Sequence, residues 1–159
     1  CQLIFGPDDG QCEPYRPVEA LLREAGIKAE LSAEIAVPLW TKYLFVSPMA
    51  GLTSLTGLCF GDVMADPKLK DRVRGLMAEV DRLARAKGIR LPADSVEKGI
   101  ATVERFPHET KSSLQLDFAK GGRTELDLFA GYAVRAGRSL GVPIPLHEEL
   151  YAALTAGGS

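Results

Sequence analysis

The sequence predicts a mainly α-helical fold preceded by a short β/α segment, and three observations carry that prediction. Strand-like patterning is confined to residues 1–32, whereas from there on apolar residues recur at three- and four-residue steps. The chain has 159 residues, which suits one compact domain or a small domain carrying a piece of another. It is 46% hydrophobic, enough to bury a core without disulfide or metal staples.

Each element has its own signal. "CQLIF" reads as a short apolar strand that ends in the turn Pro7-Asp8-Asp9-Gly10. "RPVEALLREAG" predicts an amphipathic helix with Pro17 in its first turn and Gly26 at its end. "IKAELS" alternates apolar and polar residues as a second strand does, and no convincing strand follows it. Two such strands need sheet partners that this chain lacks. The uncharged run from Tyr43 to Gly61 is long enough to raise a membrane span. However, Pro48, Gly51, Gly57 and the hydroxyls of Ser47, Thr53, Ser54 and Thr56 favour a buried helix pair broken near Pro48. Leu69, Val73, Leu76, Val80 and Leu83 form one stripe of a long helix stopped by Gly88. A shorter helix is expected over Asp94–Glu104, then one or two turns in "SSLQLDFAK". A longer helix follows in "RTELDLFAGYAVRAGRSLG", with Leu126, Phe129, Ala130, Ala133, Val134 and Leu140 as its apolar stripe. Gly131 and Gly137 would let a neighbouring helix approach closely, and "HEELYAAL" closes the chain as a short helix.

Composition excludes several roles. With 19 basic and 21 acidic residues the formal charge is −2, so there is no electrostatic footprint for nucleic acid. No basic cluster addresses an anionic membrane. Cys1, Cys12 and Cys59 lack metal-like spacing, and neither His108 nor His147 belongs to a paired ligand motif, so no metal site is expected. Three thiols without a disulfide framework fit a reducing cytoplasm. A chain that opens on Cys1 and runs straight into a strand reads as a fragment.

Lys42, in "PLWTKYLFV", is the sole Asp, Glu, Lys or Arg between Glu34 and Asp62. Burial arguments alone make it a lysine that snorkels its head into water. A catalytic ammonium in a poorly solvated site is the other reading, since burial brings a lysine pKa nearer the working pH. The tract "TKSSLQLDFAKGGRTELD", residues 110–127, gathers Ser112, Ser113, Asp117, Arg123, Thr124, Glu125 and Asp127 around a glycine pair. Ser113 and Asp117 stand four apart and share a helix face. Ser112 can cap its own helix, and Thr124 with Asp127 matches a capping box.

Together, "FGPDDG", "PLWTKYLF", the run "SSLQLDFAKGGRTELDLFAGYAVRAGRSLGVPIP" and the closing "LYAAL" resemble, in order and spacing, the carboxy-terminal part of the 2-dehydropantoate 2-reductase (ketopantoate reductase) family. The resemblance implies a helical domain of the 6-phosphogluconate dehydrogenase C-terminal-like type, preceded by a short remnant of a Rossmann domain. Residues 1–33 would then be the end of a nucleotide-binding domain, and 34–159 an all-helical domain for substrate binding and dimerisation. None of the sixteen glycines fits a GxGxxG phosphate loop, in keeping with NADP being bound mainly by a domain outside this chain.

The family reduces a 2-oxo acid with NADPH. By resemblance Lys42 is the catalytic lysine that protonates the carbonyl oxygen. Ser113 is the serine on the substrate carboxylate side, Asp117 an acid near the same cleft, and Glu125 the glutamate at the nicotinamide ribose. The sequence departs from the family where Val46, Ala50 and Phe60 replace asparagines that hydrogen-bond substrate. Losing such partners costs about 1–3 kcal/mol each and implies a changed, more apolar pocket. The partners implied are a small 2-oxo acid or related carbonyl compound and a second copy of the protein, with no nucleic acid or membrane. The alternative is a lapsed member acting as a helical binding or dimerisation module. Another two-domain hydroxyacid dehydrogenase fits less well, because the Ser-Ser to Thr-Glu-Leu-Asp tract points away from it.

Overall fold

The computed structural model describes residues 2–119 and 125–156, in two compact units, Cys1–Trp40 and Thr41–Ser159. In the first unit, β1 (Gln2–Phe5) is followed by a 3-10 turn, then α1 (Arg16–Glu24) and β2 (Lys28–Leu31). The two strands pair in parallel, with Leu3 opposite Ala29 and Phe5 opposite Leu31. A parallel pair cannot be closed by a hairpin, and α1 supplies the crossover. Glu19 ties α1 to β2, since its Oε1 accepts both the Leu31 N–H at 2.9 Å and the Arg23 guanidinium at 2.7 Å. Both strand expectations and the helix between them are met. Leu3, Ile4, Val18 and Leu21 are exposed, which is unusual for a parallel sheet.

The second unit contains no strand among its described residues, only helices and the turns that join them. Its helices are α2 (Ala36–Thr56, begun in the first unit), α3 (Phe60–Ala65), α4 (Pro67–Ala86), α5 (Ser95–Val103), α6 (Ser113–Ala119), α7 (Tyr132–Leu140) and α8 (Pro145–Ala156). The mainly helical fold class is therefore as the sequence indicates. Among the described residues no helix is long and apolar enough to cross a membrane.

The expected break at Pro48 is absent, because α2 runs unbroken to Thr56 and the chain turns at Gly57, whose φ is +74°. A proline inside a helix costs about 3 kcal/mol. Around it Leu44, Met49 and Leu52 are almost wholly buried, each stabilising the fold by about 1.5–3 kcal/mol, so packing outweighs the lost hydrogen bond. Three of the four hydroxyls that suggested a break are absorbed by the helix itself. Thr53, Ser54 and Thr56 donate to the carbonyls of Met49, Ala50 and Leu52 at 2.7, 2.7 and 2.8 Å.

Helix α4 runs through the middle of the packing, with Val73, Leu76, Met77, Val80, Leu83 and Ala84 fully buried on the predicted face. Asp66 caps it by accepting the N–H groups of Lys68 and Leu69 at 2.8 and 3.1 Å, and Gly88 follows its end with φ +79°. Ala50, Leu76, Leu114, Leu126, Ala130, Leu150 and Leu154 close one core cluster between α2, α4, α6 and α8. The buried Glu79 of α4 holds the first turn of α8, accepting the N–H groups of Leu146 and His147 at 2.9 Å each and pairing with His147 Nδ1 at 2.8 Å.

The single long helix expected after residue 123 begins differently. Asp127–Gly131 forms a π turn, with Gly131 N–H donating to Leu126 O at 3.1 Å, before α7 continues. The wider turn moves later residues round the axis, and Leu140, assigned to the apolar stripe, is exposed. Gly131 and Gly137 do sit at close approaches, since a Cβ at Gly131 would come within 3.2 Å of Tyr151 and one at Gly137 within 2.6 Å of Ile144. Arg123 and Thr124, the first residue of the expected capping box with Asp127, lie outside the described residues.

Candidate active site

Lys42 sits on α2, where its neighbours in sequence divide between core and surface. Leu44 is buried, Tyr43 and Val46 are half-buried, and Lys42 itself is exposed. Within this chain Lys42 projects into solvent, as a snorkelling lysine does, and the described residues of this chain do not themselves form the poorly solvated setting expected for it. Among the described residues its ammonium makes no hydrogen bond and no ion pair, so its charge is available to a ligand.

Tyr43 fixes this part of α2. Its hydroxyl donates to the Phe129 carbonyl at 2.6 Å, and its ring meets Tyr132 edge-on with centroids 5.7 Å apart. Burial pushes the Tyr43 phenol up to about 12, so it stays a protonated donor across the physiological range. The carbonyl it holds lies in the π turn, a geometry that frees backbone groups from the regular ladder and recurs at functional sites. Glu125 stands just before that turn, exposed, with its own carbonyl accepting from Leu128 and Phe129 at 2.9 and 3.2 Å. The Tyr43–Phe129 bond thus links the helix carrying Lys42 to the segment carrying Glu125. Sequence reasoning passed over Tyr43, whose signal was only its place beside the lysine in an aromatic run.

Ser113 and Asp117 lie one turn apart on α6, Ser113 exposed and Asp117 half-buried. The opposite side of α6 is anchored by Leu114, which is fully buried, and by Gln115, whose amide donates to Leu58 O at 3.1 Å. Ser112 caps the helix as expected, by accepting the Gln115 N–H at 3.1 Å, and its hydroxyl lies 3.0 Å from that of Thr53 on α2. Thr53 is eleven residues along α2 from Lys42, or about 16 Å at the helical rise. Two anchored points of α2 therefore meet Phe129, just after Glu125, and Ser112, just before Ser113. Among the described residues no hydrogen bond or ion pair joins Lys42, Ser113, Asp117 and Glu125 to each other.

The three replaced asparagine positions differ in their surroundings. Val46 is one turn from Lys42 and half-buried, Ala50 belongs to the core cluster, and Phe60 is buried against Phe106 at a centroid distance of 5.5 Å.

Comparison with known proteins places this architecture. The family profile "Ketopantoate reductase PanE/ApbA C terminal" matches residues 34–157. An "Uncharacterized oxidoreductase YkpB" of Bacillus subtilis is 30% identical over 158 residues, covering 96% of this chain and 51% of that protein. A 2-dehydropantoate 2-reductase of Mycobacterium tuberculosis is 31% identical over 136 residues, covering 86% of this chain and 45% of the enzyme. The crystal structure of 2-dehydropantoate 2-reductase from Methylococcus capsulatus superposes with a TM-score of 0.86 at 32% identity, over 96% of this chain and 49% of that one. The chain thus spans about half the length of the curated relatives it matches. On the match over residues 34–157 and the shared fold, this chain belongs to the ketopantoate reductase family as its carboxy-terminal, helical part.

Proposed function

We propose that the protein containing this chain is an NADP-dependent reductase of 2-oxo acids, with Lys42 as its proton donor. The observation that carries the reading is the setting of Lys42, an ammonium with no hydrogen bond or ion pair among the described residues, beside a tyrosine clamped to the turn that follows Glu125. Residues 1–33 are read as the end of a nucleotide-binding domain and 34–159 as the substrate and dimerisation domain. The exposed apolar residues of the two-stranded parallel sheet and the start of the family match at residue 34 support this division.

The residues present fit half of a cofactor site. Glu125 offers an exposed carboxylate suited to ribose hydroxyls, while the chain has no glycine-rich phosphate loop. NADPH, when bound, supplies the hydride that reaches the carbonyl carbon. Lys42 then stabilises the negative charge gathering on the carbonyl oxygen and gives it a proton. Ser113 donates to the substrate carboxylate, and Asp117, one turn on, orients groups at the same end. Val46 offers an alkyl group where the family pattern has an amide, so the substrate favoured is a 2-oxo acid with an apolar side chain rather than ketopantoate. The protein acts as a homodimer in the cytoplasm on this reading.

The test is reduction of a panel of 2-oxo acids by the full-length protein, followed by NADPH absorbance. Turnover with a preference for apolar side chains supports the proposal. A second reading, a lapsed member serving as a helical binding or dimerisation module, draws on the same three replacements. A fluorescence titration that finds no NADPH binding would establish it instead.

A further inference from the structure

Away from Lys42, the segment entering α6 brings His108 against Cys59 and Asp62 at the start of α3. Cys59 Sγ donates to Asp62 Oδ2 at 3.0 Å, and His108 Nε2 lies 3.1 Å from Asp62 Oδ1. One donor atom from each of the three lies within 4.8 Å of the others. Cys59 is buried, whereas Asp62 and His108 face solvent.

The backbone holds these groups in place. Phe60 N–H donates to Thr110 O and Gly61 N–H to His108 O, both at 2.9 Å, so the 108–110 segment is laid against the first turn of α3. The imidazole rests directly on Gly61, where a Cβ would overlap the ring. A glycine is therefore required at 61 for His108 to reach Asp62.

We propose that Cys59, Asp62 and His108 form a three-ligand site for a divalent transition-metal ion of the zinc class, its fourth position open to solvent. A tetrahedral zinc ion with sulfur, nitrogen and oxygen ligands separates its donor atoms by about 3.3–3.5 Å. Asp62 meets Cys59 through Oδ2 and His108 through Oδ1, and with one donor atom taken from each residue all three atoms lie within 4.8 Å of one another, so side-chain rotations about an ion of this size bring them into range. The thiol and imidazole now share one carboxylate as hydrogen-bond partners. On binding, the thiol releases its proton to solvent and the thiolate, the neutral imidazole Nε2 and the carboxylate turn to the ion. Zinc is favoured over magnesium or calcium because thiolate and imidazole are soft and borderline donors. The bound ion would clip the 108–112 segment to α3 and so steady the start of α6, where Ser113 lies. The sequence expectation of no metal site rested on linear spacing, which a ligand 46 residues from its partner escapes. This inference does not depend on the proposed reductase activity.

The experiment titrates the metal-free full-length protein under reducing conditions with cobalt(II), then competes the cobalt away with zinc. A thiolate-to-cobalt charge-transfer band at one equivalent is expected, and it should vanish in Cys59→Ser. Because Cys59 is buried, the exposed variants Asp62→Asn and His108→Gln are run beside it, with circular dichroism to verify folding. Changes beside a metal site already alter affinity by about 10–100-fold, so removing a ligand should weaken zinc binding by about tenfold or more. A band that survives Cys59→Ser, which Cys1 or Cys12 would produce, overturns the proposal. So does zinc binding that Asp62→Asn and His108→Gln leave unchanged, or no binding at all.

Discussion

Replacing Glu79 should do more damage than any surface substitution in this chain. Its carboxylate is almost fully buried and receives three hydrogen bonds, from Leu146 N–H, His147 N–H and His147 Nδ1, which together fasten the start of α8 to the middle of α4. In Glu79→Ala three donors lose their acceptor inside the protein. Each orphaned group costs about 1–3 kcal/mol, but the penalties overlap, and breaking a buried pair costs about 3–5 kcal/mol in total. That is a large part of a typical domain stability of about 5–15 kcal/mol. Glu79→Gln keeps one accepting oxygen and loses the charge, so about 1–2 kcal/mol is expected. The loss should depend on pH. Burial opposes ionisation of Glu79, yet the hydrogen bonds from His147 and the two backbone N–H groups outweigh it and hold the carboxyl below its ordinary value. A group depressed on folding contributes its full stability above the unfolded pKa of about 4.3 and loses it as pH falls through the lower folded value. Urea unfolding of the full-length protein by far-UV circular dichroism, at neutral pH and in steps down to about pH 3, reads both quantities. A Glu79→Ala protein within about 1 kcal/mol of wild type, or a wild-type advantage over Glu79→Gln that does not shrink in acid, would show that Glu79 does not fasten α8 to α4.

Tyr43→Phe removes the donor to Phe129 O while keeping the ring against Tyr132, and a loss of about 1–2 kcal/mol is expected in the same assay, with proposed reductase activity falling through misplacement of Lys42. Leu150→Ala empties a fully buried position in the core cluster, and about 2–5 kcal/mol should be lost without any change in oligomeric state on gel filtration. Glu125→Ala is expected to raise KM for NADPH with a smaller effect on kcat, because the carboxylate is proposed to bind cofactor and not the reacting carbonyl; steady-state kinetics at saturating 2-oxo acid would show the split.

The fold was legible wherever one face of an element is buried and the other is wet. The stripe along α4, the capping serine of α6 and the βαβ order of the first unit all follow from local pattern. Sequence pattern failed where tertiary contacts decide. Pro48 stays inside a helix because its surroundings are packed on every side, and the π turn is invisible to a period that assumes 3.6 residues throughout. The site was half legible. Lys42, Ser113, Asp117 and Glu125 take their proposed roles only through the order of the family's motifs, and Lys42 is exposed within this chain, as its snorkelling reading has it. Tyr43, which ties two of those segments together, and the Cys59–Asp62–His108 cluster depend on contacts between residues 86 and 46 positions apart, beyond the reach of any local reading.

On the proposed mechanism Lys42 delivers the proton to the reduced carbonyl. That role is tested most directly by kcat/KM for NADPH-dependent reduction of the preferred 2-oxo acid by the full-length protein, wild type against Lys42→Ala, with NADPH affinity measured in parallel. General acid catalysis contributes about 10²–10⁴-fold, and a loss of that size with NADPH binding retained is the predicted result. Equal turnover by the two proteins would rule out Lys42 as the proton donor.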